Sequence, residues 1–464
     1  MNVTGLDERA LREIAATLPG QVSARGEQGY DEARAVWNAL VDRRPAAVCR
    51  CRSPHDVVEA LALARRRRLA VGVRGGGHDV AGNGVCDGGL LLDLSPVRAV
   101  AVDAEARTAR AEGGATWGEF DAATAAFGLA TTGAQVSKVG VGGVTLGGGV
   151  GWLERLHGLS CDNLIAAEVV TADGRIVRAS EDEHADLFWG LRGGGGNFGV
   201  VTSFEFRLHP LEQVLGGMVI WPAERAKDLL EFYRGWVRGY PDAVTTLVVI
   251  TTAPPAPFIP ETLHGAPIVA VAVCYAGADE AGTEALAPLR EYGPPAVDLV
   301  QPMPYIALQT LFDESVRPGL ASYWGGEWLQ EPTDDAIDTI VSWCGRMTSP
   351  LTQFHINHME GAFARVPEEA TAVSHRSSPY LMNIVSVWAP TDEPDAHIAW
   401  TRGFWKAMRP FSAGGVYVNY LNDEGEERTR EAYSAANWRR LAALKREWDP
   451  DNLFRCNQNI PPST

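Results

Sequence analysis

Cysteine is sparse in this chain, with seven in 464 residues: Cys49, Cys51, Cys86, Cys161, Cys274, Cys344 and Cys456. An odd, scattered set is no disulfide framework. Cys49-Arg50-Cys51 has no second pair at metal-ligand spacing, so no metal site is expected. Long apolar runs are missing as well. No stretch approaches the ~18 uncharged apolar residues that a membrane-spanning helix needs, so no membrane partner is expected. The N-terminal MNVTGLDERALREIAATLPG has neither a cationic n-region nor an apolar h-region, so no secretion signal is expected and a cytoplasmic location is. Cations are outnumbered, 41 Lys and Arg against 58 Asp and Glu, for a net charge of −17. That balance argues against a nucleic-acid partner, because a phosphate backbone needs clustered cations. The one basic run, Arg65 to Arg68, falls where a helix should end and complements its dipole.

Glycine, by contrast, is abundant. The chain has 49, many of them in clusters at 75–77, 140–143, 147–151 and 193–199. Glycine lets a backbone approach a ligand closely. Successive N–H groups can then cradle a pyrophosphate without any lysine. Residues 194–199 match G-x-G-x-x-G, but a helical segment (185–191) precedes them and a strand follows. A dinucleotide fingerprint requires the reverse order, so a Rossmann site is rejected. His78 follows the first glycine cluster and Cys161 lies beyond the third. An imidazole and a thiol are both fitting nucleophiles toward an electrophilic cofactor ring. These features together predict a flavoenzyme.

The pattern predicts an α+β chain in three parts. Residues 1–212, with a core from about 40, form a cofactor domain; 213–411 form a substrate domain with an antiparallel sheet and helices; 412–464 return to the first. Ser53-Pro54-His55-Asp56 opens a helix. Strands are expected at 70–73, 90–94 and 100–103. Thr116-Trp117-Gly118-Glu119 is a capping box, and Gly128 closes the helix it opens. Asp173-Gly174 joins a hairpin of 165–171 and 175–179. A strand over 200–208 alternates, with Thr202, Phe204, Phe206 and Leu208 on one side. Later strands are expected at 218–221, 246–251, 268–275, 354–359, 380–388 and 416–420. A helix starts at Thr333, and another spans about 433–448 before Asp449-Pro450 stops it.

The segment Val71-Gly72-Val73-Arg74-Gly75-Gly76-Gly77-His78-Asp79 resembles the histidyl-flavin loop of the berberine bridge enzyme-like oxidases, within the vanillyl-alcohol-oxidase (PCMH-type) flavoprotein superfamily. The likeness continues through Thr132-Gly133, 139–143, 146–152, Asp186-Leu187-Phe188-Trp189, 192–201 and Tyr417-Val418-Asn419-Tyr420. It closes with 449–454 and 457–462 and is weakest between 215 and 400. This resemblance implies FAD as cofactor, bonded twice: through His78 to the ring 8α-methyl and through Cys161 to C6. It further implies cofactor contacts from Arg74, Gly75, Gly76, Gly77, Asp79, Gly133, Val139, Gly140, Gly142, Gly143, Val144, Gly148, Gly151, Asn163, Gly199, Val201, Asn419 and Asn457. A small side chain at Val139 is compatible with oxygen as electron acceptor and peroxide as product.

Oxidation of an alcohol or amine also needs a proton acceptor within reach of the substrate. On a strand over 416–420, Tyr417 and Asn419 would share one face and Tyr420 the other. In relatives a tyrosine of this motif is the base; Tyr420 is favoured, then Tyr417. A tyrosine pKa near ~10 must be lowered for that work, through a cation or the flavin. Substrate contacts are expected from Tyr323, Trp324, His355, Asn357 and Arg376. His355 and Asn357 share a strand face, with His358 opposite. Relatives often carry a Phe before the His-Arg pair, where this chain has Ser374-His375-Arg376. The expected activity is oxidation of a small-molecule alcohol, sugar hydroxyl or amine. The alternatives are a flavin dehydrogenase with another electron acceptor and a flavin-binding protein without turnover.

Overall fold

The computed structural model describes residues 13, 15–18, 21–277 and 279–463. Three principal sheets organise them. In the first, strands Val22–Ala24, Ala47–Arg50, Leu90–Asp93 and Val71–Arg74 lie side by side in that order. The last two pairings are parallel, and the helix Pro54–Arg67 supplies the crossover. Ser53 caps that helix by accepting from the Asp56 N–H at 3.2 Å, and Arg65, Arg66 and Arg67 occupy its last turn. The strand Val71–Arg74 therefore delivers residues 75–78 to the edge of a buried sheet, where its Val71 and Leu90 neighbours leave no solvent.

The second sheet is antiparallel, in the order Val100–Asp103, Thr108–Glu112, Val200–Arg207, Leu164–Val170, Ile176–Ser180. Asp173-Gly174 makes its hairpin, with Gly174 at φ +90°. Phe206 turns inward from the central strand onto Trp117 and Phe120, ring centroids 5.6 and 5.4 Å away, and Phe204 stacks on Phe206 at 6.2 Å. The capping box is present: Glu119 N–H donates to Thr116 Oγ1 at 3.3 Å, and Thr116 N–H to Glu119 Oε2 at 3.0 Å. The C-terminal helix Ala435–Trp448 packs Trp438, Leu441, Leu444 and Trp448 into this same core. Lys445, fully buried, ties the end of that helix down: its Nζ donates to Asp449 Oδ2 at 2.7 Å and to the carbonyls of Asn197 and Phe454 at 2.8 Å. Residues 454–458 are thereby held against the 194–199 loop.

The third sheet is antiparallel and largest, running Val297–Asp298, Gln213–Pro222, Pro267–Tyr275, Val244–Thr252, Gln353–His358, Tyr380–Trp388, Ala321–Leu329. Its two faces separate by alternation. Val248, Ile250, Ile356 and Ile384 face a helical layer through Leu229, Ile337 and Phe404. Leu247 and Val249 face the other way, toward Trp152 and Phe312. The second face roofs the cavity described below. The expected strand over 416–420 is absent. Gly414 and Gly415, at φ +86° and +100°, turn the chain, and Val418–Tyr420 is a single 3-10 turn. The strand Ala321–Leu329, interrupted in sequence by Gly325-Gly326, was not expected.

Candidate active site

A cavity of about 1970 Å³, counting its open mouth, runs between the first two sheets and the inner face of the third. One end is bounded by Phe454, Cys456 and Asn457, its middle by residues 75–79, 139–144 and 195–201, and its far end by Phe312, Trp324, His355, Asn383 and Tyr420. The middle is bare backbone. Gly76 and Gly140 cross so closely that a Cβ on Gly76 would lie 2.5 Å from the Gly140 nitrogen. A Cβ on Gly143 or Gly196 would instead project into open space with no neighbour within 4 Å. No lysine lines the cavity, and its one arginine, Arg74, is already paired with Asp93 at 2.9 Å. An anion here would be held by N–H groups rather than by a free cation.

His78 stands on the cavity wall. Trp37 stacks on it at 4.3 Å with planes 17° apart, and Trp37 N–H donates to the Gly77 carbonyl at 3.0 Å. Burial pushes the imidazole down to about 4, so it is neutral at physiological pH. Its Nε2 is buried and has no hydrogen-bond partner. An orphaned, neutral, nucleophilic nitrogen on a histidine of this glycine-lined wall fits a flavin ring. Arg74, Gly75, Gly76, Gly77, Asp79, Val139, Gly140, Gly142, Gly143, Val144, Gly199, Val201, Asn419 and Asn457 also line the cavity.

Cys161 does not. It is fully buried behind Tyr417, among Val150, Leu159, Trp328, Phe363 and Leu381. Its sulfur's one polar contact is Asp162 Oδ1 at 3.8 Å. Burial, reinforced by the Asp162 charge, pushes the thiol far above its usual range. Both its burial and its raised pKa weigh against thiolate character at this position. The turn around it is closed by Arg376, whose guanidinium grips Asp162 through two bonds of 2.7 and 3.0 Å. Arg376 is thus a buried structural cation and does not reach the substrate end.

Four further residues expected at the cofactor lie off the cavity wall. Gly133, Gly148, Gly151 and Asn163 do not line the cavity. Gly133 packs under Trp117, whose ring would meet its Cβ at 2.7 Å, and a Cβ on Gly151 would lie 2.5 Å from the Gly133 carbonyl oxygen. Asn163 donates to the carbonyls of His157 and Leu159, both at 2.9 Å, and bonds His209 at 2.8 Å. The 147–151 cluster serves the tyrosine motif instead. Gly149 N–H donates to the Tyr417 hydroxyl at 2.7 Å, as does Asn419 Nδ2 at 2.8 Å. A Cβ on Gly147 would collide with Asn419.

Because residues 418–420 form a turn, Tyr417 and Tyr420 come to the same cavity, with rings perpendicular at 5.0 Å. Tyr420 also meets Trp324 edge-on at 5.6 Å. Its hydroxyl makes no hydrogen bond among the described residues. Of the two expected means of lowering these hydroxyls, a cation or the flavin, no cation acts on the pair among the described residues: burial drives both hydroxyls up, and the Tyr417 and Glu154 charges add to this at Tyr420. At Tyr417 the Gly149 and Asn419 donors oppose the rise without cancelling it.

At the far end, Trp324 and His355 line the cavity, whereas Tyr323 and Asn357 do not. Tyr323 turns out to Arg402, whose Nε donates to its hydroxyl at 3.0 Å. Asn357 lies one layer back, its Oδ1 accepting from Gln135 Nε2 at 2.8 Å. His355 is neutral, pushed down to about 4 by burial, and bonds Gln353 at 2.7 Å. His358 is on the opposite face with Tyr240 at 2.8 Å and Arg155 at 3.2 Å. Sequence reasoning missed Trp37, Gln135 and Asn383. The Asn383 Oδ1 is buried and unpartnered on the cavity wall. Its register opposite His355 would have flagged it once the strand pairing was known.

Comparison with known proteins agrees with this geometry. The FAD binding domain model matches residues 45–180, and the berberine and berberine-like model matches 416–461. An FAD-linked oxidoreductase of Dictyostelium discoideum is 30% identical over 458 residues, covering 97% of each chain. The crystal structure of 6-hydroxy-D-nicotine oxidase from Arthrobacter nicotinovorans superposes with TM-score 0.87 at 28% identity, covering 96% of this chain and 98% of that one. A chitooligosaccharide oxidase superposes with TM-score 0.85 at 25% identity, covering 98% and 100%. The protein is an FAD-dependent oxidoreductase with a PCMH-type fold. Within that class, the chain belongs to the berberine-like family of FAD-linked oxidoreductases.

Proposed function

We propose that this protein is an oxidase that carries FAD on a single covalent link, through His78, and oxidises a neutral alcohol, sugar hydroxyl or amine. The observation that carries this reading is the unpartnered Nε2 of a neutral His78 on the wall of a cavity whose far end holds Tyr420. When bound, FAD supplies a two-electron acceptor for hydride. The chain supplies the rest. Gly75–Gly77, Gly140–Gly143 and Gly195–Gly199 present backbone to the dinucleotide. Tyr420 takes the proton from the substrate O–H or N–H, since its hydroxyl has no competing protein partner. Tyr417 is a positioning residue whose oxygen is held by Gly149 and Asn419. Trp324, Phe312, Leu247 and Val385 exclude water, which strengthens polar contacts inside.

Among the described lining residues the aspartate and the arginine, Asp79 and Arg74, lie close to His78 in the chain, and the far end carries no carboxylate, lysine or arginine. Burying a charged substrate there would cost several kcal/mol or about that order without a partner, which favours neutral substrates. Gln135 and Asn383 offer amide hydrogen bonds in their place. Val139 leaves room beside the cofactor for oxygen, giving hydrogen peroxide as the second product. The test is anaerobic mixing of the purified yellow protein with neutral sugars, alcohols and cyclic amines, followed by air. Bleaching by one substrate class, then recolouring with stoichiometric peroxide, supports the reading. Recolouring only with a quinone or protein acceptor overturns the oxidase assignment.

A further inference from the structure

A histidine ring turns easily about its last torsion, which is broad and roughly two-fold. At His78 no other side chain among the described residues hydrogen-bonds the imidazole, and its Nε2 has no partner. Bonding to a cofactor nevertheless requires one nitrogen held in one direction. What covers the ring face is Trp37, stacked at 4.3 Å with planes 17° apart. Trp37 is buried and does not itself line the cavity, so whatever it does for the cofactor passes through a neighbour.

Main-chain hydrogen bonds fix Trp37 itself. Its backbone N–H donates to the Gly77 carbonyl at 3.0 Å, its carbonyl accepts from Gly319 N–H at 3.2 Å, and its Nε1 donates to the Val316 carbonyl at 2.6 Å. Asn38, the next residue, is buried and spans the same gap. Its Nδ2 donates to the carbonyls of Val80 at 2.8 Å and Ser322 at 2.9 Å, and its Oδ1 accepts from Ser322 N–H at 2.9 Å. Residues 37 and 38 therefore tie the histidine loop to the chain leading into the strand Ala321–Leu329. Trp324 of that strand meets the Trp37 indole edge-on at 6.0 Å and lines the far end of the cavity. An indole pinned at its backbone and at its Nε1 presents one fixed plane, and a stacked imidazole gains contact by lying parallel to it.

We propose, on the reading that His78 carries the flavin, that Trp37 is a positioning residue for that attachment, holding the imidazole in the plane from which it bonds the cofactor. In the attachment one imidazole N–H and one C–H of the flavin 8α-methyl break, and one N–C bond forms. The two protons and two electrons released reduce molecular oxygen to hydrogen peroxide. Trp37 takes no part in these bond changes. It confines the ring to one orientation, and misplacing a reacting atom by about 1 Å costs about 10²-fold in rate. Without the indole face the imidazole samples other orientations, while the glycine loops still bind FAD.

Wild type, Trp37→Phe and Trp37→Leu are purified as full-length holoproteins after brief induction, and acid precipitation separates retained from released flavin. The readout is flavin retained per FAD bound, because a residue that only supports the fold changes the amount bound and not the fraction attached. Wild type should retain its flavin. Trp37→Phe, which keeps an aromatic face and loses the bond to Val316, should follow it closely. Trp37→Leu should bind FAD but attach it about 10²-fold more slowly, so that acid releases most of it. Should Trp37→Leu bind no FAD, Trp37→Met, which fills the space without a flat face, takes its place. Loss of binding in both assigns Trp37 to the fold and overturns the proposal. Retention in Trp37→Leu equal to wild type overturns it too, with the His78 link left standing. Wild type that retains no flavin refutes the link itself, and the role of Trp37 with it.

Discussion

The loop at 75–79 and the turn at 159–163 make an instructive pair. The first opens onto the cavity from the end of a buried strand, with a neutral imidazole stacked on Trp37 and one nitrogen unsatisfied. The second is closed over by Trp328 and Phe363 and locked by Arg376, with its thiol driven away from ionisation. Imidazole and thiol are comparable nucleophiles in isolation. What separates them here is which side of Tyr417 each occupies. On the proposed single-link reading, access and protonation state, rather than residue type, decide which can bond a cofactor.

The largest effect that tests this contrast is on the flavin link itself. His78→Ala should remove all covalently bound flavin, seen as loss of the fluorescent band on a denaturing gel, whereas Cys161→Ala should leave that band unchanged. Acidification sharpens the same point. His78 attachment should slow as pH falls through about 4, where the imidazole protonates and loses its nucleophilic lone pair. A loss centred near the ordinary histidine value of about 6.5 would contradict the burial argument.

Next in size is turnover. Tyr420→Phe should lower kcat about 10²-fold or more, within the usual worth of a positioned base. Since burial holds its hydroxyl above the ordinary tyrosine range, the ionised fraction grows throughout neutral pH. In wild type log kcat/KM should therefore climb by about one per pH unit between roughly pH 6 and 9, and that slope should vanish in the variant. Tyr417→Phe should lower stability more than Tyr420→Phe, by about 1–3 kcal/mol, because it strands the buried Gly149 and Asn419 donors.

Closing the Cys161 turn gives a stability effect with no chemical one. Arg376→Met removes one partner of a buried ion pair and should cost about 3–5 kcal/mol in a denaturant melt. The flavin link on His78 should survive. The smallest effect contrasts two glycines: Gly143→Ala should fold normally yet bind FAD more weakly, its Cβ entering open cavity, while Gly76→Ala should misfold by collision with Gly140. Equal behaviour of the two would remove the distinction between cradle and packing glycines.

Much of the frame was legible because local chemistry and tertiary structure agree. The Ser53, Thr116 and Thr333 caps mark helices where the structure has them. Asp173-Gly174 gives its hairpin, and 185–191 is helical as read. The tyrosine motif was misread because alternating Val and Tyr imitate a strand. The Gly414-Gly415 turn and the Asn419 bonds to Val144 and Tyr417 override that local preference. The burial of Cys161 was not legible for a related reason: its motif is local, but the side chains around it come from residues 328, 363 and 376. Asn383 was invisible for want of register, since an amide carries no signal until strands are paired, and Gln135 lies in a bend outside any strand.

Proteolytic mapping of the purified holoprotein tests the central claim most directly. The account predicts one flavin-bearing peptide, modified at His78, with the Cys161 peptide recovered at its unmodified mass. A flavin adduct on Cys161, or no adduct on either peptide, would contradict it.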